Sequence, residues 1–284
     1  MSTASTGVWA YAITEQDRLD RPDGEVDLSW LSGVGEAAVR TITCSGLTAL
    51  ASDVSLAEFG EAPLRDNLEN LAWLDEVARL HHYVVDAAAR LVPLLPVRLA
   101  TVYSGDAAVR AALADHRADL RDALHRVGGR VEWGVKAYAT AGEDEAARVP
   151  AARVPAEVPA ETPAGGAANG GPRGGAGLAY LKRRRGQLAA GREARAAAVL
   201  GAQTLHTELA GKAAAAMIRP PQSAQLSGIR QPMLLNAAYL LDAGEGPDFT
   251  TAVATEATAH PELRIELTGP WPPYSFTGDD HDGH

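Results

Sequence analysis

Residues 142–177 read GEDEAARVPAARVPAEVPAETPAGGAANGGPRGGAG, with no Leu, Ile, Phe, Trp or Tyr among them. No other stretch constrains the fold as much, because a segment without large apolar side chains has no face to bury and cannot offset the entropy of ordering its backbone. Val149-Pro150, Val154-Pro155 and Val158-Pro159 favour extended polyproline-like backbone, and Gly165-Gly166 and Gly170-Gly171 make the second part pliable. The expectation is a disordered Pro/Gly/Ala-rich insertion. Because loop-closure entropy grows with the logarithm of length, such an insertion fits inside a domain at a cost of about 1–2 kcal/mol. The ordered structure has to come from the flanks.

Those flanks are large enough to build it. The chain has 284 residues, 46% of them hydrophobic, which suits two modest domains; with 5% aromatic residues, their cores must be mainly Ala, Val and Leu. A net charge of -10 and a pI near 5.3 argue against a general nucleic-acid binder, which needs clustered Lys and Arg. The lone Cys44 rules out an internal disulfide, suits a reducing cytoplasm and is expected to be a small buried hydrophobe. The opening MSTASTGVWAYAI lacks a basic region followed by a long apolar run, and no window approaches the ~18 apolar residues of a membrane span, so neither an export signal nor a membrane segment is expected.

Before the insertion, 8–13 alternate as a strand, with Trp9 and Tyr11 on one face and Val8, Ala10 and Ala12 on the other. Pro22-Asp23-Gly24 signals a turn, and strands at 37–43 and 47–52 should join through a Ser45-Gly46 hairpin. Apolar residues at helical spacing run from 68 to 91, Pro93 stops that helix, and 96–103 (PVRLATVY) reads as a further strand. A second helix is expected over 106–127, capped by Asp106 and closed by Gly128-Gly129. This succession predicts a modified ferredoxin-like domain over 1–127, its first crossover helix replaced by the 15–33 loop.

After it, the pattern is more complete. Residues 130–138 alternate Val131, Trp133 and Val135 against Glu132 and Lys136, a half-buried strand. An Ala-rich helix is expected over 179–217, with Leu181, Leu188, Ala202 and Leu209 at multiples of seven and Ala198 and Leu205 on the adjoining seam; it should project as a coiled-coil arm or pack on the other domain. Strands at 216–218, 233–241 and 263–267 and a helix at 249–259 complete a β-α-β-β-α-β order over 128–276. The fold class is thus α+β, two tandem ferredoxin-like domains, followed by a disordered tail at 277–284.

Signals for chemistry are weak. His81 shares the apolar stripe of its helix and its neighbour His82 points about 100° away, so the pair cannot chelate one metal and His81 reads as a satisfied core histidine. Asp279, Asp280, His281 and His284 lie in a tail with nothing to fix a metal geometry. No phosphate loop, nucleophile elbow or distinct carboxylate pair is present. The expectation is therefore a non-enzyme without cofactor or metal. Lys182, Arg183, Arg184 and Arg185 form the one strong basic run, a solvated helix start or a partner-binding patch. An enzyme would need a cleft where groups such as His81, Arg98 and Glu132 converge.

The remaining signal is GPWPPYSF at 269–276. Pro270, Pro272 and Pro273 remove backbone donors, so the segment should leave the preceding strand's ladder and hold Trp271, Tyr274 and Phe276 as anchors, either as a clasp on the chain's own domains or as a partner contact. Together with LPVRLATVY after the helix bearing RLHHYVV, and EWGVKAY followed later by AYLKRRR, it resembles the gas vesicle protein L/F family. That family more often has Phe-Gly where this chain has Leu99-Ala100. The resemblance implies a non-enzymatic accessory protein of gas vesicles in the cytoplasm, an assembly factor or minor structural component. Its implied partners are the hydrophobic major shell protein and other accessory proteins, with no nucleic acid and no membrane. The alternative is a small-ligand-binding or regulatory module on tandem ferredoxin-like domains.

Overall fold

Each half of the chain places strand alternation under amphipathic helices, and the computed structural model describes residues 6–21, 24–140, 174–222, 228–229 and 231–278. The first sheet has the order β4-β5-β1-β6, with β7 also pairing β1. Its centre is β1 (Thr6–Glu15), followed by the short helix α1 (Gln16–Leu19) and the two-residue strands β2 (Asp20–Arg21) and β3 (Gly24–Glu25). Strands β4 (Arg40–Cys44) and β5 (Leu47–Ser55) meet at Ser45 and Gly46, both at positive φ, which is the geometry a tight hairpin requires. The first of these begins later than the 37–43 pattern suggests, because Val34–Glu36 form a turn of 3-10 helix. Pro22 and Asp23 lie outside the described residues.

Helices α2 (Leu56–Phe59) and α3 (Glu61–Asn67) carry no clear sequence periodicity and precede the main helix α4 (Leu71–Ala89). The Asn70 side chain starts α4 by accepting the N–H groups of Ala72 and Trp73. Val77, His81, Val84, Val85 and Ala88 of α4 are buried, in a layer with Trp9 and Tyr11 of β1. Ala12 joins that layer too, against expectation, because a bulge between Ala10 and Ala12 resets the alternation.

Two further expectations fail locally. Residues 96–103 are not one strand: β6 (Leu95–Pro96) and β7 (Val102–Tyr103) flank a turn at Ala100, whose φ is 66°. The helix over 106–127 is two, α5 (Asp106–Asp115) and α6 (Arg117–Val127), broken at His116. Gly105, not Asp106, holds the cap position; the Asp106 carboxylate instead meets Arg40 of β4 at 2.7 Å, which keeps it below the usual carboxylate range. Both helices cover the opposite face of the first sheet, where Val109, Leu113, Ala123, Leu124 and Val127 pack with Val8, Ile42 and Leu47. Cys44 is half-buried at that layer's edge rather than fully buried.

The second sheet is antiparallel with the order β11-β8-β10-β9, formed by β8 (Arg130–Ala139), β9 (Ala215–Ile218), β10 (Met233–Asp242) and β11 (Leu263–Trp271). One face carries helix α7 (Gly174–Ala210) and helix α8 (Gly246–Ala259). The latter starts ahead of the expected 249 because Pro247 is tolerated in a first turn. The former runs 174–210, not 179–217, so Gly174–Gly177 belong to helix; the rest of the expected insertion, 142–173, lies outside the described residues, and so does the tail from Asp279 on. Ala198, Ala202, Leu205 and Leu209 of α7 pack with Val135, Ala137, Tyr239 and Phe249. Burying each leucine contributes about 1.5–3 kcal/mol. The C-terminal half of α7 thus packs on its own sheet.

Candidate functional site

The proline-aromatic segment sits where the two halves meet. Strand β11 pairs with β8 from Leu263↔Ala139 to Thr268↔Gly134, then passes Gly269 and Pro270 against Trp133 alone and resumes at Trp271↔Glu132. The ladder therefore outlasts Pro270, contrary to the expectation that it ends there. A proline on an edge strand is accommodated at a bulge, and the next residue, Trp271, again has an N–H to offer. The Gly269-Pro270 bond is cis, and Gly269 has φ 123°; a Cβ there would lie 2.8 Å from the Glu132 carbonyl oxygen, so only glycine fits.

Beyond the strand, Pro272 and Pro273 are buried and Tyr274–Phe276 close into a 3-10 turn. Its anchor is Glu132 of β8. One carboxylate oxygen accepts the Ser275 backbone N–H at 2.8 Å, and the other accepts the Ser275 hydroxyl at 2.7 Å and the Arg219 guanidinium at 2.6 Å. Alternation assigned Glu132 to the polar face of a half-buried strand; it is 5% exposed because the segment folds over it. No sequence rule pairs a strand glutamate with a serine so far away, and the only available signal was a charge in an otherwise alternating strand.

The aromatic side chains reach the first half of the molecule. Trp271, still 43% exposed, stands edge-on to His82 of α4 at 5.2 Å between centroids. Tyr274 packs against the α4 layer, with its ring 6.3 Å from His81 and 6.2 Å from His82. Burial, together with the carboxylates of Asp86 and Glu132, raises its hydroxyl above the usual phenol range, and that hydroxyl has no hydrogen-bond partner among the described residues. Phe276 packs into the layer beneath α5 and α6, which Leu240 of β10 also enters. The six residues Pro270, Trp271, Pro272, Pro273, Tyr274 and Phe276 thus come together at one junction, whereas Lys182, Arg183, Arg184 and Arg185 lie exposed on α7 and are not brought to it.

His81 sits beneath this junction with both ring nitrogens engaged. The Trp9 indole N–H donates to Nδ1 at 3.0 Å, which leaves Nε2 protonated and donating to the Val97 carbonyl at 3.2 Å. Burial pulls its pKa down to about 4. A neutral imidazole fixed between two partners is part of the core. A cleft of about 480 Å³ opens beside the segment, lined by Pro270 to Pro273, Asp86 and Val131. A second, of about 810 Å³, lies between the first sheet and α5/α6 and is lined by Arg98, Tyr103, His116 and Arg126 among others. Among the described residues no cluster of His, Cys, Asp or Glu could hold a metal ion, and no helix is long and apolar enough to cross a membrane. Asp279, Asp280, His281 and His284 are outside those residues.

The family described as "Gas vesicle synthesis protein GvpL/GvpF" matches residues 7–278, nearly the whole chain. The chain belongs to this family. Gas vesicle protein L of a Streptomyces species is 38% identical over 276 residues, spanning 95% of this chain and 92% of that protein. The crystal structure of GvpF from Anabaena aligns over 99% of both chains with a TM-score of 0.60 at 21% identity. That of GvpF from Microcystis aeruginosa covers 97% of this chain and 99% of its own, with a TM-score of 0.58 at 18% identity. These structures share the fold, a mixed α/β architecture with two antiparallel sheets. Family membership gives the chain a gas-vesicle-related accessory role.

Proposed function

We propose that this family member is a non-catalytic assembly factor or minor structural component of gas vesicles in the cytoplasm, binding the major shell protein and other accessory proteins. The observation that carries the reading is the family match over residues 7–278. A shell that encloses gas must present apolar surface, so its free subunit aggregates in water unless a soluble partner holds it. A chain with a formal charge of -10 suits that task. The direct test is a pull-down against the purified major shell protein, with a count of vesicles in a deletion strain. Binding and loss of vesicles are expected; no binding and a normal count would overturn the reading.

Within this reading the segment from Pro270 to Phe276 is a clasp that docks the second half on the first. The Glu132–Ser275 bonds and the contacts of Tyr274 and Phe276 support it. Trp271→Ala should then lower the unfolding midpoint, whereas an unchanged midpoint with lost partner binding would make it a partner contact. The strand orders support a finer description of the fold: β4-β5-β1-β6 and β11-β8-β10-β9 both follow the succession of a split β-α-β sandwich, the N-terminal one modified. The alternative, a small-ligand or regulatory module, draws on the cleft of about 810 Å³. A thermal-shift screen with metabolites separates the two.

A further inference from the structure

Helix α7 has two unlike halves. From Ala198 onward, Ala198, Ala202, Leu205 and Leu209 are buried on the second sheet, while nearer the N-terminus Leu178 is 71%, Leu181 63% and Leu188 54% exposed. The exposed leucines do not continue the buried line. At about 100° per residue, Leu181, Leu188 and Val199 share a line turned roughly 90° from that through Ala198, Ala202 and Leu205. The positions that do extend the buried line are Arg184, Gln187 and Gly191. Packing on this chain's own sheet therefore does not account for the leucine stripe.

Charge narrows what can cover it. Residues 178–195 hold Lys182 to Arg185, Arg192 and Arg195 against one acid, Glu193, in a chain of net charge -10. Among the described residues none of these basic side chains is in an ion pair. Arg185 and Arg192 flank the leucine line on one side, Arg184 and Arg195 on the other. That is the arrangement of a helix-pairing seam, apolar at the centre and charged at both edges. A second copy of α7 would set arginine against arginine. A bilayer surface needs a broad apolar face, but Lys182 and Arg183 spread charge round the remaining circumference.

We propose that residues 178–195 of α7 dock an acidic amphipathic helix of another gas vesicle protein, its apolar stripe on Leu181 and Leu188 and its carboxylates on the flanking arginines. The proposal rests on the gas vesicle reading and names the surface that reading would use. The test places the photo-crosslinker p-benzoylphenylalanine at Leu188 of the full chain in cells that are building vesicles. The expected adduct maps by mass spectrometry to a Glu- or Asp-rich helical segment of another gas vesicle protein. Its yield should fall at least tenfold in R184E/R185E/R192E, a variant whose exposed positions leave the unfolding midpoint unchanged. Adducts to lipid, to a second copy or to nothing would overturn the proposal, as would an adduct indifferent to the arginines. If the deletion strain lacks vesicles but L181E/L188E restores them fully, this surface is wrong and the gas vesicle reading stands. If the deletion strain makes normal vesicles, that reading itself fails.

Discussion

Ala100 has a backbone that prefers glycine. Its φ of 66° puts the methyl group against its own backbone, which in a residue with a Cβ costs about 1 kcal/mol or more. Glycine would relieve this at a smaller entropic cost in the unfolded chain. Ala100→Gly is therefore expected to stabilise the protein by about 0.5–1 kcal/mol in urea unfolding, where most Ala-to-Gly changes destabilise. His81 makes a second residue-scale prediction. Its folded-state pKa of about 4 lies below the ordinary 6.5, so unfolding takes up a proton between those values. The stability this site contributes is complete above pH 6.5 and is lost as pH falls towards 4, in total about 3 kcal/mol. His81→Gln removes the proton uptake; its stability and that of the parent, followed by urea titration at several pH values, should converge as pH drops to 4. A gap that stays constant would mean that His81 does not titrate on unfolding.

Elements were legible where one face was buried and one was not. Strand β8 is the clear case, with Val131, Trp133 and Val135 towards the helices as their alternation indicates. Strand β1 was legible only to its bulge, since an inserted residue flips the alternation without leaving any mark in the sequence. The 96–103 stretch looked like one strand because its β-branched and aromatic residues suit extended backbone, yet the turn at Ala100 depends on contacts with β1 at both ends. Helix α7 shows the limit most plainly. A sevenfold spacing put Leu181, Leu188, Ala202 and Leu209 in one register, but a straight α-helix drifts about 20° per heptad, so the first two turn away from the sheet on which the last two pack. Over so long a helix a count of sevens no longer states which residues share a face. Leu205→Ala should accordingly cost about 2–5 kcal/mol, and Leu188→Ala less than about 0.5, by chemical denaturation; equal costs would place the N-terminal half of α7 against a core.

At the scale of the whole molecule, two sheets carry largely separate cores that meet at the proline-aromatic segment and at Leu240. The proline-aromatic segment was visible in the sequence as an anchor, but its receptor was not, because the receptor is assembled from α4, β8 and Arg219, far apart in the chain. Glu132 is central to that assembly. A carboxylate so little exposed is tolerable only while Ser275 and Arg219 satisfy it, and freeing Ser275 while the segment still covers Glu132 would leave that carboxylate with Arg219 as its one partner. The coupling should therefore be cooperative: the segment holds Glu132, and Glu132 holds the segment, each making the other's burial less costly. Tyr274→Ala with Phe276→Ala removes two of the segment's contacts with the first half, leaves Trp271 beside His82, and keeps β11 paired to β8. In scanning calorimetry the parent is expected to unfold in one transition, and the double variant in two, the lower one shifted down by several degrees. Glu132→Ala should give the same splitting, since it frees Ser275 without touching either aromatic ring. A single transition in both variants would assign the coupling to the Leu240 contact and to Trp271 on His82, and the Tyr274–Phe276 turn would then be free to serve a partner.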